Sequence, residues 1–132
     1  MSERVASCFC GQLKATCSGE PFRISVCHCL NCQQRSGSAF AVQARFQEHE
    51  VVFRGEAKQW VRVGDAGEPT TFHFCPSCGS TVAYQGGGFP DAIAVPVGAF
   101  ADPSFPTPFF SVWEVRKHGW VDIVGEGIEH FD

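Results

Sequence analysis

The run Val26-Cys27-His28-Cys29-Leu30-Asn31-Cys32 sets three thiols close together, and two further pairs, Cys8/Cys10 and Cys75/Cys78, stand far from it on either side. Thiols grouped in this way restrict the fold more than any other feature of the chain, because separate segments must be brought to a common ion. A closed structural zinc site takes four protein ligands, with Zn–S bonds of about 2.3 Å, whereas a catalytic site takes three and keeps a position for water or substrate. Seven sulfurs are too many for one tetrahedral ion and one short of two closed ones. They divide as four plus three: Cys27, Cys29 and Cys32 hold an open zinc, and Cys8, Cys10, Cys75 and Cys78 close a structural one. A competing partition joins Cys29/Cys32 to Cys75/Cys78 as a single ribbon-like zinc. It leaves Cys8, Cys10 and Cys27 without a part, and it needs a loop of about 42 residues where compact ribbons have roughly 15 to 20. A fourth ligand to the triplet, His28 or a distant carboxylate, stays open at this stage.

Each half-site has a local logic. Cysteines at i and i+2 on an extended backbone point to one face, so Cys8 and Cys10 share an ion if the chain bends, and Gly11 permits the bend. Cys75-Pro76-Ser77-Cys78-Gly79 wraps two thiolates around one ion, with a glycine free to take positive φ. A redox Cys-x-x-Cys prefers a strand-to-helix junction, and this one falls between strand patterns, which favours metal.

Length sets the scale: 132 residues and 14.4 kDa predict one zinc-binding domain over 1–132, with a real core that still gains from a metal staple. The net charge of -4 and pI near 5.7 argue against a nucleic-acid binder, which would carry a basic patch. No segment approaches the ~18 apolar residues of a membrane span, and Met1-Ser2-Glu3-Arg4 leads to Cys8 without a signal-peptide core. A cytoplasmic location follows as the expectation. There, eight cysteines read as metal ligands rather than disulfides.

Alternation of apolar and polar residues predicts a mainly β chain with little room for helix. Strand patterns cover 11–17 with Leu13, Ala15 and Cys17 on one face, 22–26 leading into the triplet, and 39–46 with Phe40, Val42, Ala44 and Phe46 together. Others cover 51–53, 59–63, 70–74 and 80–84, the last two flanking the Cys75–Cys78 knuckle. Gln33 to Ser38 reads as polar turn, Gln85 to Asp91 as flexible loop, and Ala92 to Val97 as a strand whose Pro96 belongs at an edge or bulge. The proline-rich run 101–108 should wander over the surface, 109–113 should close the sheet, and 120–124 is short and apolar.

Outside the triplet and pairs the chemistry is sparse. Cys17 reads as a buried inert thiol, and His28 as either a substrate-side or outer-shell group or a solvent-facing imidazole. His73, between Phe72 and Phe74, should point away from the core. Arg35, Arg45 and Lys58 are candidates to pair with substrate carboxylates, with simple surface solvation as the alternative.

Cys-x-Cys-Gly, then Cys-x-Cys-x-x-Cys with Ser36-Gly37-Ser38-Ala39-Phe40, then Cys-Pro-x-Cys-Gly-Ser and a late aromatic segment ending near Trp120 resembles the glutathione-dependent formaldehyde-activating enzymes, also called the centromere protein V-like family. The resemblance covers nearly the whole chain. It implies an Mss4-like β-tent of stacked antiparallel sheets, a structural zinc on Cys8, Cys10, Cys75 and Cys78, and a catalytic zinc on Cys27, Cys29 and Cys32. It also implies a carbon-sulfur lyase that joins a small thiol, glutathione, to formaldehyde as S-hydroxymethylglutathione and reverses the step. Where relatives often carry histidine before the aromatic strand and Pro-Trp after it, this chain has Ser111 and Gly119-Trp120. Three thiolates around a dication leave a net negative centre, blunted toward a carbonyl yet able to lower the pKa of an incoming thiol. The alternatives are a non-catalytic zinc-stabilised binding module and a methionine sulfoxide reductase-like protein, the latter needing a free attacking thiolate where only Cys17 is spare.

Overall fold

The computed structural model describes residues 2–132. Short alternating strands build two sheets that face each other across one core. The smaller is antiparallel, in the order β1 (Glu3–Ser7), β2 (Lys14–Ser18), β5 (Val51–Arg54). The larger has eight strands: β11 (Glu129–His130), β10 (Phe110–Val112), β3 (Arg23–Cys27), β4 (Ala41–Gln47), β9 (Phe89–Pro96), β8 (Thr81–Gly86), β7 (Pro69–Phe74) and β6 (Lys58–Val63), in that spatial order. Pairing is antiparallel except at β10, which runs parallel to both β3 and β11. Among the described residues the one α-helix, α1 (Leu30–Ser36), follows β3, and three single 3-10 turns lie at Glu48–Glu50, Val97–Phe100 and Glu114–Arg116. The mainly β, low-helix architecture with clustered cysteines matches the Mss4-like fold.

The period-2 pattern explains the core. Ala6, Leu13, Ala15 and Cys17 of the small sheet meet Ile24, Ala44, Phe46, Ala83, Ile93 and Val95 of the large one, and Val42 packs against them. Phe46 and Leu13 are the largest wholly buried apolar side chains, each contributing about 1.5–3 kcal/mol by leaving water. Phe100 lies 6.3 Å from the Phe46 ring and 4.7 Å from Phe105, so the proline-rich surface run is anchored to the core by an aromatic chain. Strands β3, β4, β8 and β9 are buried on their outer face as well, where Cys27, Ser25, Gln43, Ala94 and Tyr84 lie. That second buried face is where the site forms.

Several expectations need correction. The polar turn at Gln33–Ser38 is the body of α1, capped at its start by the Cys29 side chain and stopped by Gly37, whose φ of 71° is left-handed and whose N–H bonds Gln33 O at 2.9 Å. No residue of α1 is buried. The loop at Gln85–Asp91 is a tight hairpin with Gly86 opposite Phe89, turned by Gly87 and Gly88 at φ 67° and 89°. Pro96 ends an interior strand opposite Gln43 rather than marking an edge, so its missing N–H falls where the ladder stops. Segment 109–113 lies inside the sheet, and β11 forms its edge. Segment 120–124 forms no strand and buries only Val121. His73 sits opposite the core residue Ala83 and stacks on Phe53 of β5 at 5.5 Å, so it points between the sheets and not away from them.

Candidate active site

The four-sulfur cluster joins the two sheets. Cys8 and Cys10 lie in the turn leaving β1, and Cys75 and Cys78 in the knuckle between β7 and β8. Cys10 Sγ is 3.7 Å from both Cys8 Sγ and Cys75 Sγ, and all four sulfurs lie within 4.8 Å of one another. A tetrahedral zinc with ~2.3 Å bonds sets its sulfurs about 3.8 Å apart, so these residues fit the ion. The surroundings favour the thiolate at Cys75 and Cys78, whereas at Cys10, against the lowering backbone hydrogen bond from Gln12, burial and the neighbouring sulfurs push the thiol up to about 11. Cys75 Sγ accepts from Gln12 Nε2 at 3.1 Å and from the Ser77 and Cys78 backbone at 3.3 and 3.5 Å. Hydrogen bonding to the Ser80 side chain, 3.4 Å away, and to backbone donors brings Cys78 down to about 5.

The three-sulfur cluster is built at a strand end. β3 delivers Cys27, Cys29 caps α1 by accepting from the Cys32 N–H at 3.2 Å, and Cys32 comes one turn later. The three sulfurs again lie within 4.8 Å, and among the described residues no histidine, cysteine, aspartate or glutamate adds a fourth ligand atom. The hydrogen bond from Cys32 lowers the Cys27 thiol, and the same bond together with burial pushes Cys32 far up. Burial also raises Cys29. Three soft sulfurs converging within 4.8 Å form a donor set that fits a zinc ion.

His28 is not the solvent-facing imidazole that the sequence allowed, nor does it join the three sulfurs as a ligand. It is fully buried and turns away from the sulfurs, with Nε2 3.0 Å from Ser111 Oγ on β10 and its ring 5.9 Å from Phe40. Its N–H donates to Val112 O at 3.1 Å, and its carbonyl accepts from Gln33 Nε2 at 2.8 Å. The loop bearing the sulfurs is thus pinned on both sides. Ser111→Ala should remove the imidazole's one side-chain partner, since His28 Nδ1 is buried without any, and lower stability by about 1–3 kcal/mol. Urea titration should show a lower midpoint at unchanged slope; an unmoved midpoint would reject this role.

Comparison with known proteins adds a decisive match. The family model of the glutathione-dependent formaldehyde-activating enzyme covers residues 3–116. The chain belongs to this family. Its activity is of the glutathione-dependent formaldehyde-activating type, that of a carbon-sulfur lyase, and its two cysteine clusters have the geometry of zinc sites. A crystal structure of a Rhodobacter sphaeroides protein, a structural genomics target, is similar in fold, with a TM-score of 0.59 and 20% identity over 75% of this chain and 91% of that one. No curated protein matches. Among the described residues no helix is long and apolar enough to cross a membrane.

Within this member of the formaldehyde-activating family, the spare thiol plays no part in chemistry. Cys17 is 0% exposed in the core and burial pushes it up to about 12, so it supplies no attacking thiolate of the kind a sulfoxide reductase needs. Beside the three-sulfur cluster the outer face of the large sheet carries charge. Arg45 of β4 stands there, and Arg35 of α1 lies over Tyr84, 4.7 Å from the ring centroid. Burial pushes the Tyr84 phenol up to about 12 against the pull of both arginines. Lys58 is elsewhere, exposed on the edge strand β6 opposite Phe74. A cation that sequence reasoning missed, Arg23, lies opposite Arg45; only the register of β3 on β4, set by contacts distant in sequence, places it there.

Proposed function

We propose that Cys27, Cys29 and Cys32 form the catalytic zinc centre, that Cys8, Cys10, Cys75 and Cys78 hold the structural zinc, and that the chain over 1–132 works as one cytoplasmic domain on glutathione and formaldehyde. The observation that carries this reading is that three sulfurs converge without a fourth ligand atom among the described residues, while the imidazole of His28, between two of them in sequence, bonds Ser111 instead. A reducing compartment suits eight free thiols.

In the forward direction the glutathione sulfur attacks the carbonyl carbon of formaldehyde. A carbon-sulfur bond forms, the carbonyl π pair moves to oxygen, and the thiol proton ends on that oxygen, giving S-hydroxymethylglutathione; the reverse step returns both reactants. A zinc ion held by the three cysteines would supply the positive charge that favours the ionised form of an incoming thiol. The protein's own part is position. The Cys29 cap fixes α1 relative to β3, and Gln33, by donating to His28 O and to Arg116 O at 3.1 Å, ties that helix to the segment after β10. Holding two reactants at contact distance removes much of the entropic barrier of a bimolecular addition.

The test is exchange spectroscopy on zinc-loaded protein with glutathione and formaldehyde, following magnetisation transfer between free and adduct carbon. Faster exchange than in buffer is expected. No acceleration at any thiol concentration would overturn the glutathione reading.

A further inference from the structure

On the outer face of the large sheet, beside Cys27, cations gather without acids. Arg23 of β3 and Arg45 of β4 stand directly opposite one another across the antiparallel pair, a placement in which like charges repel. Both guanidiniums lie over the Phe89 ring, at 5.7 and 4.3 Å from its centroid, and Arg23 is also 4.6 Å from that of Phe110. Arg35 reaches the same face from α1, over Tyr84, which the register places two strands from Arg45 through Ala94. Acids outnumber Lys and Arg in this chain, 14 to 10. Yet none of the ion pairs found among the described residues includes Arg23, Arg35 or Arg45. All three are half-buried. An isolated exposed arginine needs no partner, but convergent cations that have lost part of their hydration do.

The floor beneath them is polar and closed. Ser25 is 1% and Gln43 5% exposed, and Gln43 Nε2 donates to Ser25 Oγ at 3.0 Å. Gln43 Oε1 and Arg23 Nε are buried with no partner, one acceptor and one donor left over on the same face. Ser25 and Cys27 follow one another on that side of β3, so the arginine pair and the open sulfur cluster lie on the same sheet face with the buried Ser25 and Gln43 between them.

We propose that Arg23, Arg45 and Arg35 are specificity-determining residues that receive a carboxylate of the substrate, so that the enzyme selects an anionic thiol over a neutral one. The inference rests on the function proposed above. A carboxylate between Arg23 and Arg45 removes their mutual repulsion and meets planar donor forks suited to paired hydrogen bonds. The aromatic rings beneath hold the guanidiniums in place while the site is empty of substrate.

The test separates charge recognition from turnover. Zinc-loaded protein is titrated calorimetrically with S-methylglutathione, whose sulfur cannot ionise, and with its dimethyl ester. The diacid should bind at least about tenfold more tightly than the ester, in the range of hydrogen bonds to charged groups. Arg45→Gln should cut that preference to about twofold or less, and Arg35→Gln, on a helix with no buried residue, should move it the same way should the first variant not fold. Equal affinity for acid and ester in the native protein, no binding of either, or an unchanged preference in a folded variant would overturn the proposal. A charge preference without any lyase activity upholds the subsite and defeats the function, whereas undiminished turnover on the esterified thiol defeats the subsite and leaves the function standing.

Discussion

Cys29→Ser is expected to lower turnover at least about a hundredfold, because changes merely behind a metal ligand already cost 10–100-fold, while the protein stays folded. The two expectations separate because Cys29 does two jobs. Its sulfur belongs to the three-sulfur cluster, and it also accepts the Cys32 N–H at 3.2 Å as the cap of α1. Serine is among the best capping residues, so the helix keeps its start while the cluster loses a soft ligand. Formaldehyde exchange measures the first effect and a thermal melt by circular dichroism the second. Turnover near the native rate would remove Cys29 from the chemistry, and collapse of the fold would make the cluster a structural staple.

The opposite result is expected at the other cluster: Cys75→Ser, or removal of both metals with a strong chelator, should unfold the chain. Cys75 is wholly buried and belongs to the core as well as to the sulfur set. An ion held there would link the β1–β2 turn to the β7–β8 knuckle across 65 residues of sequence, and among the described residues no strand of the small sheet pairs with one of the large sheet. A structural zinc contributes roughly 10–16 kcal/mol in small zinc domains, against a total stability of about 5–15 kcal/mol for a typical domain. Without it the balance favours the unfolded chain. Native protein should carry two zinc ions. Mild chelation should strip one with its activity and leave the β circular-dichroism signal intact; simultaneous loss of both, with unfolding, would contradict the division into open and closed sites.

What could be read from the chain beforehand follows from the range of the forces involved. Alternation over five or six residues is local, so strands such as β2 and β4 and the faces of Leu13, Ala15, Ala44 and Phe46 were legible. The grouping of the sulfurs was legible too, because the spacing that divides Cys8, Cys10, Cys75 and Cys78 from Cys27, Cys29 and Cys32 is the division the fold brings together. The helix was not. α1 buries none of its residues and so writes no 3.6-residue stripe, and its cap is a cysteine already claimed by the metal reading. His28 and the Arg23–Arg45 face were equally hidden. A buried imidazole paired with a serine 83 positions later, and two arginines meeting through strand register, depend on pairings no window of sequence contains.

The parallel seating of β10 on β3 has a consequence for how the protein is made. Residues 27–32 leave the ribosome with the flank of β3 that β10 will occupy still bare, since Ser111 is 83 positions behind His28. At ~5–20 residues per second that interval lasts roughly 4–17 s. During it His28 has neither its Ser111 nor its Val112 partner, so the sulfur loop is pinned on that side only once β10 has been made.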